Sequence, residues 1–263
     1  MTFFGMMRVR NESRWIERVV EAQLPLLDRL FIFDDHSTDG TPEICEQFDN
    51  VTVFRSKFEG LDERRDKDWV MERLYDAIPK EDYHLTLGNP QSPYWALCLD
   101  GDEELAPGAV DLLAQAAESD EGHAYSVRIL YAWNSPDQIR IDGVYRNFRR
   151  PSMFRLMNRN FRFQSTPWGG NLHCSSIPQE LIAGFRSCEA SVLHYGYIDA
   201  DLRRRKYDWY NRVDPNNPAE DCYRHIIQGD PGGMPAEARL KHAGPMRLES
   251  FAHQVIETLP LAA

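Results

Sequence analysis

The sequence predicts an α/β fold, with a mostly parallel central sheet, helices on both faces and a smaller antiparallel part. Three observations lead there. Compact apolar runs alternate with amphipathic stretches through the first half of the chain, and repeated βα units build a parallel sheet covered on both sides. Two of those runs end in acidic clusters, and the carboxyl ends of strands are where open α/β sheets collect their ligands. Beyond Tyr131 the composition turns to Arg, Asn and aromatics, which suits shorter, partly antiparallel strands.

The elements follow in order. Phe3–Val9 reads as a strand, and Asn11–Leu24 as a helix with Trp15, Ile16, Val19 and Val20 at helical spacing before Pro25 stops it. Leu30–Phe33 is a compact strand running into Asp34-Asp35. Thr41-Pro42 opens a short helix, Thr as cap and Pro at the first helical position. Val51–Phe54 is a third strand, Asp62–Ile78 a charged amphipathic helix, and Pro79–Pro93 a polar connection. Tyr94–Cys98 is the fourth strand, Pro107–Glu118 an Ala/Leu helix and Ala124–Leu130 a fifth strand. Ser152–Met157 and Ser191–Tyr195 are the strands expected later, and Asp199–Tyr210 a helix. Residues 1–210 are expected to form one domain, with halves at 1–105 and 106–210. The Pro- and Gly-rich residues 211–263 read as an extension packed on it.

Composition narrows the function. At 263 residues, 42% hydrophobic and 27% charged, the chain is of ordinary soluble globular make-up. Its formal charge of −11 argues against a general nucleic-acid binder, which needs a basic footprint. No stretch has the apolar length of a membrane span, and the start, MTFFGMMRVRNES, lacks the pattern of a signal peptide. A cytoplasmic location is expected, with peripheral membrane contact left open. Cys45, Cys98, Cys174, Cys188 and Cys222 form no C-x-x-C and are odd in number, so reduced thiols and no structural zinc are expected.

The most informative run is Leu99-Asp100-Gly101-Asp102-Glu103-Glu104-Leu105 at the end of the fourth strand. Two carboxylates one residue apart suit a hard divalent cation, which takes one or two carboxylates and completes its shell with water and phosphate oxygens. An acidic turn capping the next helix is the plainer reading of an isolated D-x-D. Upstream, Asp34-Asp35-His36-Ser37-Thr38-Asp39-Gly40-Thr41 closes the second strand, and Val9-Arg10-Asn11-Glu12 closes the first.

These three segments, in this order, resemble the family 2 glycosyltransferases, strongly over the first 105 residues or so and weakly over the next hundred. Short soluble members, including those that decorate lipopolysaccharide cores, look most similar. The resemblance implies the GT-A fold, a nucleotide-binding α/β sandwich with a Rossmann-like sheet. It also implies transfer of a sugar from a nucleoside diphosphate donor to a hydroxyl of a carbohydrate or glycolipid. UDP is the favoured nucleotide, GDP and dTDP remain open, and inversion follows the family's majority.

Residue by residue, the resemblance places Asp35 on the nucleobase with Asp34 in support, while Ser37, Thr38 and Asp39 hold the loop. Arg10 and Glu12 lie against the nucleoside, Glu12 serving either the ligand or the helix start. Arg64 and Lys67, three apart on one helical face, would meet the nucleotide. Asp102 becomes the direct ligand of Mn²⁺ or Mg²⁺, with Asp100 on ribose or a metal-bound water. His194, in His194-Tyr195-Gly196-Tyr197, would complete the metal shell. Arg203, Arg204, Arg205 and Lys206 follow, as phosphate contacts or a solvated face.

One departure concerns the general base. The similar soluble members carry a His-Glu segment after an Arg-rich strand; here Met153-Phe154-Arg155 and Gly169-Gly170-Asn171-Leu172-His173 fit, but the next residue is Cys174. The base is therefore open among His173, Asp142 and Glu180, with Asp137 a further carboxylate. Trp133 and Trp168 are candidate sugar-stacking platforms. Two other classes compete: a nucleotidyltransferase, whose N-terminal Gly-rich phosphate loop is absent here, and a non-catalytic nucleotide-sugar or glycan-binding homologue. A glycosidase needs neither the metal nor the nucleobase site.

Overall fold

The computed structural model describes residues 1–119, 121–165, 173–213 and 223–252. The chain runs β1 (Thr2–Val9), α1 (Ile16–Gln23), β2 (Arg29–Asp34), α2 (Thr41–Cys45), β3 (Val51–Arg55), α3 (Glu63–Ala77), β4 (Tyr94–Cys98), β5 (Glu103–Leu105) and α4 (Ala109–Glu118). It continues through β6 (Ala124–Trp133), β7 (Ser135–Arg140), β8 (Arg149–Arg155), β9 (Arg186–His194), α5 (Ala200–Val213) and β10 (Leu248–Ser250). No helix among the described residues is long and apolar enough to cross a membrane.

The sheet order is β10-β7-β6-β8-β4-β1-β2-β3, with β9 on β6 and β5 on β9. β3, β2, β1 and β4 are mutually parallel. β8 joins β4 antiparallel and leads into the antiparallel β6, β7 and β10, while β9 lies parallel to β6. From β1 the chain steps outward through β2 to β3, then returns to the other side of β1 as β4. The strand order therefore reverses between β1 and β4. Their carboxyl ends open the crevice where α/β sheets bind ligands.

Strand alternation splits the core. Phe3, Met7 and Val9 of β1 and Trp95 and Leu97 of β4 pack with α1, α2 and α4 on one face. Phe4, Met6, Tyr94, Ala96 and Cys98 pack against Val70, Met71 and Leu74 of α3 on the other. This is the period of two expected for a sheet buried on both sides. Asp62 caps α3 by accepting the Arg65 N–H at 2.9 Å.

Strands β5, β7 and β10 were not expected. β5 forms inside the acidic run because Glu103, Glu104 and Leu105 pair with His194, Leu193 and Val192 of β9. β7 reads Ser-Pro-Asp-Gln-Ile-Arg, with no apolar alternation over its first four residues, and is held by β6 and β10 on its two sides. Residues 80–86, expected as plain connection, form a 3₁₀ helix.

A buried ion-pair network fastens residues 223–248 to the sheet. Arg140, 0% exposed, donates to both carboxylate oxygens of Asp142, to the His225 carbonyl at 2.6 Å and to Gln228. Asp142 also accepts the Arg247 N–H at 2.9 Å. A buried guanidinium robbed of its carboxylate is an uncompensated charge. Asp142→Ala is therefore expected to cost about 3–5 kcal/mol of stability, seen as a lower urea midpoint at unchanged m-value.

Candidate active site

A cleft of about 770 Å³ opens at the β1/β4 switch point. That volume lies within the range of small-molecule and cofactor sites. β1 contributes Arg8, the turn between β1 and α1 contributes Arg10 and Glu12, β2 leads into Asp35, and α3 contributes Glu63 and Lys67. The segment after β4 brings Asp100, Gly101 and Asp102, and β8 brings Arg150. His173, Cys174, His194 and, from α5, Arg205, Lys206, Trp209 and Tyr210 close the far wall.

The two aspartates after β2 separate in role. Asp34 turns back and accepts the Ser37 N–H at 3.3 Å, outside the cleft lining. Asp35 faces the cleft; its carboxylate pairs with Arg8 and lies 3.4 Å from Arg10 Nη1. Arg8 is itself anchored by Asp66 at 3.0 Å. The loop 36–41 is tied to the entry of α1 by Ser37 Oγ on the Asn11 N–H (2.9 Å), Asn11 Oδ1 on the Thr38 N–H (2.8 Å) and Asp39 on the Ser13 N–H (3.0 Å). Burial would raise the Asp39 pKa, but hydrogen bonds from Thr41 and Ser13 outweigh it and lower it.

After β4 the charges interlock. Arg150 bridges Asp100, at 3.0 Å, and the fully buried Glu103, which also accepts the Asp100 N–H at 2.9 Å. Burial pushes Glu103 up to about 7 against the pull of Arg150. Asp102, 5% exposed, accepts from Lys206 Nζ at 2.9 Å and lies 3.8 Å from His194 Nε2. Burial would raise both Asp100 and Asp102, yet Arg150 and Lys67 for the first, and His194 and Lys206 for the second, hold them below the usual carboxylate range. Glu12 is driven the other way, up to about 8, by burial and the nearby Asp102.

Two glycines allow this density. A Cβ on Gly101 would stand 2.8 Å from Val9 and 3.1 Å from Glu12. One on Gly196 would collide with the His194 ring, the Lys206 ammonium and the Asp102 carboxylate.

Of the residues singled out from the sequence, Arg10, Glu12, Asp35, Lys67, Asp100, Asp102, His173 and His194 line the cleft. Several do not. Arg64 is exposed on α3 while Lys67 points inward and donates to the Ser175 carbonyl at 3.2 Å, so the two do not act together. Asp142 is spent on Arg140, Glu180 is exposed and accepts the Arg162 N–H at 3.2 Å, and Asp137 is exposed on β7. None of these three carboxylates reaches the cleft lining. Trp133 is no sugar platform, being 0% exposed between the guanidinium groups of Arg140 and Arg203. Trp168, Gly169, Gly170, Asn171, Leu172 and Cys222 lie outside the described residues.

His194 stands beside Asp102, but its Nδ1 accepts the Gly196 N–H at 3.0 Å. Burial lowers its pKa against the pull of Asp102.

Reading the sequence missed Arg8, Glu63, Glu103 and Arg150. Glu63 opens α3, lines the cleft and sits where the Cys174 backbone N–H favours its charged form; burial nevertheless pushes it up to about 7. A carboxylate from α3 thus stands beside position 174. Cys174 itself is pushed up to about 12 by burial, so its thiol stays protonated.

Residues 6–67 match the family model described as glycosyl transferase family 2. No curated protein matches the chain. Among solved structures, residues 1–349 of TarS from S. aureus align at 13% identity and TM-score 0.42, covering 86% of this chain and 69% of that one. A longer TarS structure aligns at 13% and 0.44, covering 86% of this chain and 42% of that one. The Mycobacterium tuberculosis glucosyl-3-phosphoglycerate synthase, in complex with Mn²⁺, UDP and phosphoglyceric acid, aligns at 19% and 0.35 over 49% of this chain and 43% of that one. This chain thus spans less than half of the latter two.

The fold is α/β with a mostly parallel central sheet flanked by helices, and over residues 6–67 the chain is similar to the family 2 glycosyltransferases. The matched segment runs from β1 into the start of α3.

Proposed function

We propose that the cleft binds a nucleoside diphosphate sugar, with UDP favoured, and transfers the sugar with inversion to a hydroxyl of a carbohydrate or glycolipid. The observation that carries this reading is the convergence of Asp35, Asp100 and Asp102 with Arg8, Arg205 and Lys206 at the β1/β4 switch point. Asp35 accepts a base N–H, its orientation fixed by Arg8. Asp100 faces the ribose, and the cations of α5 face the diphosphate.

The donor set fits a hard divalent ion of the Mn²⁺ or Mg²⁺ kind. Asp100 and Asp102 are both held ionised at the cleft. Among the described residues no three His, Cys, Asp or Glu side chains are grouped to cage a metal, so water and phosphate oxygens would fill its shell. When bound, the ion supplies Lewis-acid stabilisation of the departing nucleoside diphosphate.

Glu63 is the proton acceptor in this reading. Its raised pKa suits a base working near neutrality. It takes the acceptor hydroxyl proton as that oxygen bonds to the anomeric carbon and the bond to phosphate breaks.

The test is to incubate the chain and Mn²⁺ with UDP-, GDP- and dTDP-sugars and follow nucleoside diphosphate release. Release from one of them supports the reading. Pyrophosphate release from a nucleoside triphosphate with sugar phosphate, and no diphosphate release, would replace it with a nucleotidyltransferase. Asp35→Ala is expected to flatten the preference among UDP, GDP and dTDP in competition binding; an unchanged preference removes the role given to Asp35.

A further inference from the structure

The seat on Asp102 is already taken by a cation belonging to the chain itself. Lys206 Nζ lies 2.9 Å from Asp102 Oδ2, in a space so small that a Cβ on Gly196 would collide with the ammonium, the carboxylate and the His194 ring together. The glycine makes room for this pair, but the space holds one cation and not two. A divalent ion on the same carboxylate would sit against the ammonium, and like charges at such range repel.

The surroundings decide which side chain yields. α5 is pinned one turn earlier, where Arg203, 2% exposed, clamps Asp230 and donates to the Tyr197 carbonyl at 2.7 Å and to Asn134 at 3.1 Å. The helix backbone is thus fixed, while Lys206 hangs from a flexible four-carbon stem over the Tyr197 ring at 5.4 Å. Arg150 is different: its planar fork is held by Asp100 and Glu103 at once.

We propose that Lys206 is a displaceable counter-cation of the donor site, neutralising Asp102 while the cleft is empty and turning to the diphosphate when metal and nucleotide arrive. This rests on the donor-site reading above. Two consequences follow from linkage. Lys206 competes with free metal, so it weakens metal binding in the absence of nucleotide. The diphosphate gives the released ammonium a new partner, so Lys206 makes metal and nucleotide enter together.

The test uses the full chain and Lys206→Met, which keeps the stem and removes the charge. Free Mn²⁺ is followed by electron paramagnetic resonance without nucleotide, and UDP binding at saturating Mn²⁺ by calorimetry. Lys206→Met is expected to bind Mn²⁺ alone about tenfold tighter and UDP about tenfold more weakly, within the usual range of such couplings. Lys206→Arg, whose fork grips Asp102 more firmly, is expected to bind Mn²⁺ alone more weakly than the parent, so a poorly folded methionine variant still leaves a reading. Mn²⁺ affinity unchanged in folded Lys206→Met, or unchanged in Lys206→Arg, overturns the proposal. A parent chain that binds UDP with Mn²⁺ beside such unchanged variants leaves the donor site standing. A parent chain that binds neither overturns both.

Discussion

Asp102→Asn is expected to lower UDP affinity in the presence of Mn²⁺ by a hundredfold or more, on the order of the several kcal/mol that a metal ion contributes to phosphate charge. The substitution keeps the volume of the side chain in the crowded space beside Gly196 and removes only its charge. Lys206 loses its partner but is 22% exposed along its side chain, so its ammonium reaches cleft water and the fold survives. With the metal chelated, the variant is expected to bind UDP no more weakly than the parent, because Lys206 is then free to meet the diphosphate. The calorimetric comparison with and without EDTA checks this, and a deficit of equal size in both conditions would assign Asp102 a direct rather than a metal-borne contact.

Glu63→Gln is expected to cut turnover by about 10²–10⁴-fold, the usual worth of a general base, while UDP binding stays within about twofold. The carboxamide keeps an oxygen facing the Cys174 N–H, so local structure is preserved and only basicity is lost. The pH profile supplies a second readout. A base with its pKa raised to about 7 is protonated below that value and idle. Turnover in the parent chain therefore climbs as pH rises through about 7, and Glu63→Gln loses that limb. Because the acceptor is open, slow release of UDP from UDP-sugar to water serves as the rate. A variant with parental turnover and the same limb would remove Glu63 from the chemistry and return attention to His173, which lines the cleft and lies 3.2 Å from the Tyr223 hydroxyl.

The fold was most legible where local pattern and tertiary environment agree. In β1, β2 and β4 continuous apolar runs meet helices on both faces, and Pro42 marks the first turn of α2, although Gly40 and not the expected Thr41 stands at its N-cap, the Thr41 hydroxyl being taken by Glu12 and Asp39. β5 and β7 were hidden because their partners, not their side chains, make them strands. The same division runs through the site. Asp35, Asp100 and Asp102 each stand just past a strand end, a position that sequence reveals. Arg8, Glu63, Arg150 and Lys206 come from four elements far apart in the chain, and only the sheet order brings them to one crevice. Tryptophan and carboxylate by themselves say little: Trp133 and Asp142 are both spent on the buried Arg140, which sequence had not singled out.

Thermal unfolding with UDP, GDP, dTDP and ATP, each with and without Mn²⁺, tests the central claim most directly. A ligand that binds only the folded chain raises Tm by mass action, about 2.7 kcal/mol of added stability at a hundred times its Kd. The account predicts a clear Mn²⁺-dependent rise with one nucleoside diphosphate, UDP first, that is lost in Asp102→Asn. A folded chain whose Tm responds to none of the four, with or without metal, would contradict it.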